Sequence, residues 1–317
     1  MKKLIALLLS LFFLLSTALP AGMAEEKPLK IVTTIFPIYD WVRQIIGEQD
    51  ADVTMLMDSG VDLHNFQPTA QDILTIAQCD LFIFIGGESD EWTEDVLKTA
   101  QNESMTVINL LDALGDDVKE EEIVEGMEAE EEEGEEEEAE SDEHVWLSLR
   151  NAEKLVKVIA ETLAEIDAEK AEPYRVNAES YIEKLQALDA QYAETVDAAA
   201  YKTILFGDRF PFRYLADDYG LTYYAAFAGC SAETEASFQT ILFLAQKVDE
   251  LGLPAVLTIE NPKTRIAETV VNATQNKNQK ILSLNSMQGV TAQEVKDGAA
   301  YLSLMESNLI VLRDALN

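Results

Sequence analysis

The chain has 317 residues, 48% of them apolar, and sets 23 Lys and Arg against 59 Asp and Glu for a formal net charge of −36. A field of that sign repels phosphate backbones and anionic lipid, so a nucleic-acid-binding role is excluded and peripheral attachment to an anionic membrane is disfavoured; cations are the partners it attracts. The apolar half supplies a sizeable core, and the length exceeds that of most single cores, which suggests two domains or one large one.

Lys2 and Lys3 precede an apolar run from Leu4 to about Leu19, which closes on Ala21, Gly22, Met23 and Ala24. This is the three-part form of a secretory signal, so the chain is expected to be exported, with cleavage after Ala24 and an uncleaved anchor as the alternative. No Cys lies near the end of that run, so a lipid anchor is not indicated, and no other stretch is long and apolar enough to span a bilayer.

Beyond the leader, Lys30 to Phe36 is rich in β-branched and aromatic residues and predicts a buried first strand ending at Pro37. Tyr39, Trp41, Val42, Ile45 and Ile46 have helical spacing up to Gly47, and Asp52 to Met57 predicts a second strand, with His64 on the loop beyond it. Thr69 begins a helix carrying Ile73, Ile76 and Ala77. Asp80 to Ile85 is a continuous apolar strand of the kind covered on both faces in a parallel sheet. A helix over 91–100 and a strand over 105–110 continue the alternation that marks an α/β sheet.

From Lys119 to Glu143 the composition becomes low-complexity and mostly acidic, which predicts a disordered, solvated loop, because such a run cannot repay its ordering entropy by burial. It serves either as a solubilising insert or as a weak collector of cations near a tighter site. After His144 come helical patterns over 151–166 and, beyond Pro173, to about Ala198; the second is long enough to be a backbone joining two lobes.

The alternation then restarts, with strands over 203–206, 222–227, 255–259 and 280–284 and helices over 212–219, 237–250, 266–274 and 299–315. The expected architecture is α/β: two Rossmann-like lobes with parallel sheets joined by a long rigid linking helix. The expected division is a signal peptide over 1–24, an N-terminal lobe over 25–170 with the acidic loop at 119–143, the linking helix over 171–199 and a C-terminal lobe over 200–317.

His64 and His144 are the only two histidines. A lone His is more often a surface or satisfied core residue than a ligand, but imidazole is also the commonest protein ligand for transition metals. Cys79 and Cys230 match no metal-ligand spacing and are expected to be two buried free thiols, with a disulfide as the alternative that export permits.

Several segments, in order, resemble the metal-specific solute-binding proteins of ABC importers, the zinc and manganese group. They are Val32 to Asp40, Asp62-Leu63-His64 with Pro68 and Thr69, Ala77 to Phe82, His144 to Ser148, and Ile259-Glu260. The resemblance covers almost the whole mature chain and implies that His64 and His144 are the two ligands of the first lobe. At the place of the third family ligand stands Arg209, which has no lone pair to give. Asp208 beside it is the expected substitute, although an Asp there also suits a helix cap. At the place of the fourth ligand stands Asn285, a weak neutral donor, and Glu260 at the end of the preceding strand is the second carboxylate candidate.

The resemblance further implies an extracytoplasmic, monomeric, high-affinity zinc-binding protein that delivers its ion to an ABC permease, by capture without chemistry. Manganese or iron as cargo, or a metal-stabilised surface adhesin, are the alternatives. An enzyme is not expected, since no His-Glu-x-x-His helix or comparable constellation is present.

Overall fold

The computed structural model describes residues 27–127, 140–231, 235–260 and 264–317. The expected signal peptide and residues 128–139 of the acidic run lie outside them.

In chain order the first half runs β1 (Leu29–Thr33), α1 (Phe36–Ile46), β2 (Ala51–Met55), α2 (Ala70–Ala77), β3 (Leu81–Phe84), α3 (Trp92–Leu97), β4 (Thr106–Asn109) and α4 (Leu110–Leu114). Two long helices follow, α5 (Leu149–Ile166) and α6 (Ala171–Ala198). The second half is β5 (Thr203–Arg209), α7 (Arg213–Tyr219), β6 (Thr222–Phe227), α8 (Phe238–Leu251), β7 (Ala255–Thr258), α9 (Arg265–Ala273), β8 (Lys280–Ser283), α10 (Ala292–Lys296) and α11 (Tyr301–Ala315).

The strands form two four-stranded sheets, ordered β2-β1-β3-β4 and β6-β5-β7-β8, and every pairing is parallel. This is the expected α/β class. Both sheets repeat one topology, in which the chain moves to opposite sides of β1 and of β5. The strand ends beside such a switch point open a crevice that parallel sheets use for ligands.

Local chemistry explains the element boundaries. Pro37 does not end the strand directly; it occupies the first turn of α1, where its missing N–H costs nothing. Gly47, at φ 61, closes that helix. Thr69 and Asp72 exchange hydrogen bonds as a capping box at the start of α2. In β3 all four residues are buried, as a strand covered on both faces requires.

The linking helix α6 has 28 residues, about 42 Å at 1.5 Å per residue. Its buried residues Tyr174, Ala178, Tyr181, Leu185, Leu188, Tyr192 and Val196 recur every three or four positions, making one apolar seam that packs on α5, α1 and α11. Buried side chains of both sheets and of α6 belong to one continuous apolar cluster.

The expectation of a solvated loop over the whole of 119–143 needs correction. Residues 119–127 and 140–143 fold back onto the second half of the chain. Lys119 pairs with Asp217 at 2.8 Å, and the Glu122 carboxylate accepts from Arg213 (2.8 Å) and the Tyr223 hydroxyl (2.9 Å). Glu120 bridges Ser141, and Val124 and Met127 pack against the main apolar cluster. Composition alone misled here because the acidic groups find cationic and hydroxyl partners supplied by residues far away in sequence.

Candidate metal centre

The two histidines, 80 positions apart in sequence, meet at the carboxyl ends of the strands. His64 stands in a short 3-10 turn, Leu63–Asn65, after β2; the Asp62 carboxylate caps that turn by accepting from the His64 N–H at 3.2 Å. His144 opens another 3-10 turn, Val145–Leu147, and the Asp142 carboxylate accepts from its backbone N–H at 2.9 Å. The ring centroids lie 5.4 Å apart. His144 is fully buried, with Trp146 packed at 5.2 Å between ring centres.

The hydrogen bonds orient each ring. His144 Nδ1 lies 3.0 Å from Asp142 Oδ1, so this nitrogen carries the proton and Nε2 keeps its lone pair. His64 Nδ1 lies 2.8 Å from Ser89 Oγ, which likewise leaves Nε2 turned inward. Both Nε2 atoms face the side chain of Gln288, whose amide nitrogen is 2.6 Å from His144 Nε2 and 3.5 Å from His64 Nε2. The amide donates to the same lone pairs that a cation would take, and rotation of the amide would offer its oxygen instead.

Charge and burial set the protonation of the surroundings. Burial, with His144 and Arg209 nearby, drives the His64 imidazole down to about 3 against a weaker opposing pull from Asp62, so the ring is neutral and able to donate a lone pair. Glu143 is pushed up to about 7 by burial; its Oε1 accepts from the Ser89 N–H at 2.8 Å, while Oε2 stands 3.8 Å from His64 Nδ1 without a hydrogen bond. Burial, reinforced by the carboxylates of Glu121, Asp142 and Glu143, pushes the Cys230 thiol well above its usual range.

Of the residues expected from sequence, the structure brings His64 and His144 together and uses the others elsewhere. Asp208 follows Gly207 in an irregularity of β5, where the register against β6 shifts between Phe206 and Arg209. Its carboxylate accepts from the N–H groups of Arg209 (2.9 Å) and Ile259 (3.3 Å), so it ties β5 to the end of β7. Glu260 accepts from both the N–H and the hydroxyl of Ser286 at 2.7 Å and fixes the loop after β8. Asn285 turns its side-chain oxygen back onto the Met287 N–H at 2.8 Å. Asp208, Glu260 and Asn285 thus carry hydrogen bonds at strand ends, and the two carboxylates lie outside the one cluster of ligand atoms found around the histidines among the described residues.

Two other residues approach the histidines. Gln288 stands on the loop after β8, three positions beyond Asn285, and Cys230 follows β6. Among the described residues, His64, His144 and Cys230 are the one group of histidine, cysteine or carboxylate side chains whose ligand atoms lie within 4.8 Å of one another. Neither Gln288 nor Cys230 belongs to a metal-spacing motif; the signal for Gln288 was the short polar loop after the last strand, and Cys230 carried none. Both cysteines are free thiols, as expected, but only Cys79 is fully buried.

A family model described as ZnuA, "Zinc-uptake complex component A periplasmic", matches residues 31–315. The zinc-binding protein AdcA of Streptococcus pyogenes serotype M3 is 31% identical over 322 residues, covering 99% of this chain and 61% of that protein. The chain thus spans less than two thirds of that relative's length. The high-affinity zinc uptake system protein ZnuA of Bacillus subtilis is 32% identical over 301 residues, with 93% and 90% covered. The crystal structure of the Zn(II)-bound ZnuA-like domain of Streptococcus pneumoniae AdcA superposes with a TM-score of 0.71 at 30% identity, covering 92% of this chain and 99% of that domain.

Proposed function

The chain belongs to the family of periplasmic zinc-uptake component A proteins, and on that premise we propose that it captures zinc outside the cytoplasm and presents it to an ABC permease. The observation that carries this reading is the pair of inward-turned imidazoles of His64 and His144, held at 5.4 Å between ring centroids in a buried crevice. Neutral imidazole nitrogen suits zinc, and a nitrogen-rich set favours it over manganese.

The chain's own residues supply binding and orientation. Asp142 orients the His144 ring and Ser89 the His64 ring, Trp146 backs His144, and Gln288 covers the crevice from the second sheet. The lobes are assigned to 25–170 and 200–317, with 171–199 linking them. The leader is assigned as a signal cleaved near Ala24 without lipidation. The reading is one of capture and transfer, and it assigns no catalytic role. Release to the permease would require the two sheets to move apart.

Competition of a zinc chelator with purified protein tests the reading. Tight one-to-one zinc binding that His64→Ala and His144→Ala each abolish is expected. Tight zinc binding unchanged in both variants would overturn it.

A further inference from the structure

Arg209, which has no lone pair to give, stands where the resemblance places the third ligand, and neither Asp208 nor Glu260 belongs to the cluster of ligand atoms around the two histidines among the described residues. We propose that Cys230 fills that role: its sulfur bonds the ion directly, so the clamp is two imidazole nitrogens and one thiolate, with the Gln288 amide oxygen as fourth donor. The proposal rests on the zinc-capture reading and names the ligand that gives it selectivity.

The two cysteines differ in their surroundings. Cys79 belongs to an apolar cluster and points its sulfur at Met105 Sδ, 3.6 Å away, which is ordinary packing for a buried thiol. Cys230 is partly exposed, belongs to none of the apolar clusters of the described residues, and directs Sγ to within 4.8 Å of a nitrogen on each histidine. In a tetrahedral zinc site with Zn–N near 2.0 Å and Zn–S near 2.3 Å, neighbouring donors lie about 3.3–3.6 Å apart. Ligand atoms at most 4.8 Å apart are therefore at most about 1.5 Å wider than that spacing.

The backbone around Cys230 is built for that approach. A Cβ on Gly229 would meet His144 Cε1 at 3.0 Å, Phe210 O at 3.0 Å and His144 Nδ1 at 3.1 Å, so a side chain there would make the ring or the loop give by a few tenths of an ångström. The Cys230 N–H donates to Glu121 Oε1 at 2.9 Å, and the Ser231 carbonyl accepts from Arg209 at 3.3 Å. The loop is therefore anchored on both sides of the sulfur.

On binding, the sulfur exchanges its proton, lost to solvent, for the ion. One thiolate with two neutral imidazoles and a neutral amide is a soft, nitrogen-and-sulfur set; such donors prefer zinc to manganese, which seeks oxygen.

Cobalt(II) in place of zinc tests this on the reduced, full chain. A thiolate bonded to cobalt gives a sulfur-to-metal charge-transfer band in the near ultraviolet. We expect that band in the wild type and in Cys79→Ser and its absence in Cys230→Ser. We also expect Cys230→Ser to lose zinc affinity by more than the roughly 100-fold upper limit for residues that only orient a ligand. A cobalt-loaded wild type without the band overturns the proposal, and needs no variant that might fold poorly. So does Cys230→Ser with unchanged zinc affinity. If wild type binds zinc through His64 while either of those results holds, only the cysteine assignment fails; if wild type does not bind zinc at all, the capture reading fails with it.

Discussion

The Arg209 guanidinium donates a hydrogen bond to the Asp62 carboxylate, joining the end of β5 to the turn that carries His64. The pair spans the two sheets at the edge of the metal crevice. Both side chains are largely shielded, 14% and 26% exposed, so neither charge is fully screened. Arg209 opposes a bound cation, and Asp62 cancels it while also accepting from the His64 N–H. Asp62→Ala is expected to weaken zinc binding by about tenfold or more, because it leaves an uncompensated positive charge beside the ion. Arg209→Ala should not weaken it, because it removes the opposing charge, and the double variant should bind zinc more tightly than Asp62→Ala. Chelator competition across the four proteins measures these differences, and an Asp62→Ala affinity equal to wild type would show the pair to be a bystander.

Gln288 faces both Nε2 atoms with a neutral amide, so any charge neutralisation from the second sheet is incomplete at this position. Gln288→Glu puts a carboxylate there at almost unchanged volume. Zinc affinity at pH 8 is expected to rise by about tenfold or more, and manganese affinity to rise with it, since the new donor is a hard anionic oxygen. Parallel titrations with the two metals would detect both effects. A fall in zinc affinity would place Gln288 outside the coordination shell.

Asp90 gives the fold a pH dependence independent of the ligand histidines. Its Oδ2 accepts from the N–H groups of Ile85 (2.8 Å) and Gly86 (3.2 Å), Oδ1 has no hydrogen-bond partner, and burial raises the carboxyl to about 6. A folded value above the unfolded one means that the folded state holds the proton over a range where the unfolded state has lost it. Stability from this group is therefore greatest below about pH 4 and falls as pH rises through about 6, by roughly 3 kcal/mol in all. Asp90→Asn keeps the acceptor and removes the charge, so the variant should be the more stable protein at pH 8, with the difference vanishing near pH 4. Urea denaturation at the two pH values is the measurement, and an equal difference at both would contradict the assignment.

Within the acidic run, Glu121 accepts from the Cys230 N–H, and Glu122 accepts from Arg213 and Tyr223. Deletion of 128–139 keeps both of these residues and is expected to leave zinc affinity within about threefold of wild type, because the cost of closing a chain segment changes only slowly with its length. Glu121→Ala should weaken it by more, through the lost anchor of the Cys230 loop. Isothermal titration of both proteins distinguishes them, and the opposite order would mean that the distal acidic residues contribute to the tight site.

The alternation of elements was legible to within a few residues. Thr222–Phe227 was expected as a strand and is one, and the long helical pattern reaching Ala198 is α6. Hydrophobic periodicity is a local property, so neighbouring residues report it without the tertiary fold. The helices α4 and α10, five residues each, are too short to show a period. In the first half of the chain, His64 and His144 stood out because they are the only histidines and sit in short motifs.

The second half of the site was decided by tertiary structure. Asp208 and Glu260 have suitable chemistry at strand ends, and only the fold shows which hydrogen bonds they accept there and that neither lies in the cluster of ligand atoms around the histidines among the described residues. Cys230 and Gln288 lie after different strands of one sheet, and nothing in their spacing predicts that both reach His144. Sequence by itself determined the two parallel-sheet lobes, the helix between them and the paired imidazoles, because periodicity and residue type act over short stretches of chain. Which donors the second lobe turns toward those imidazoles depends on strand order and loop packing, and so belongs to the three-dimensional structure alone.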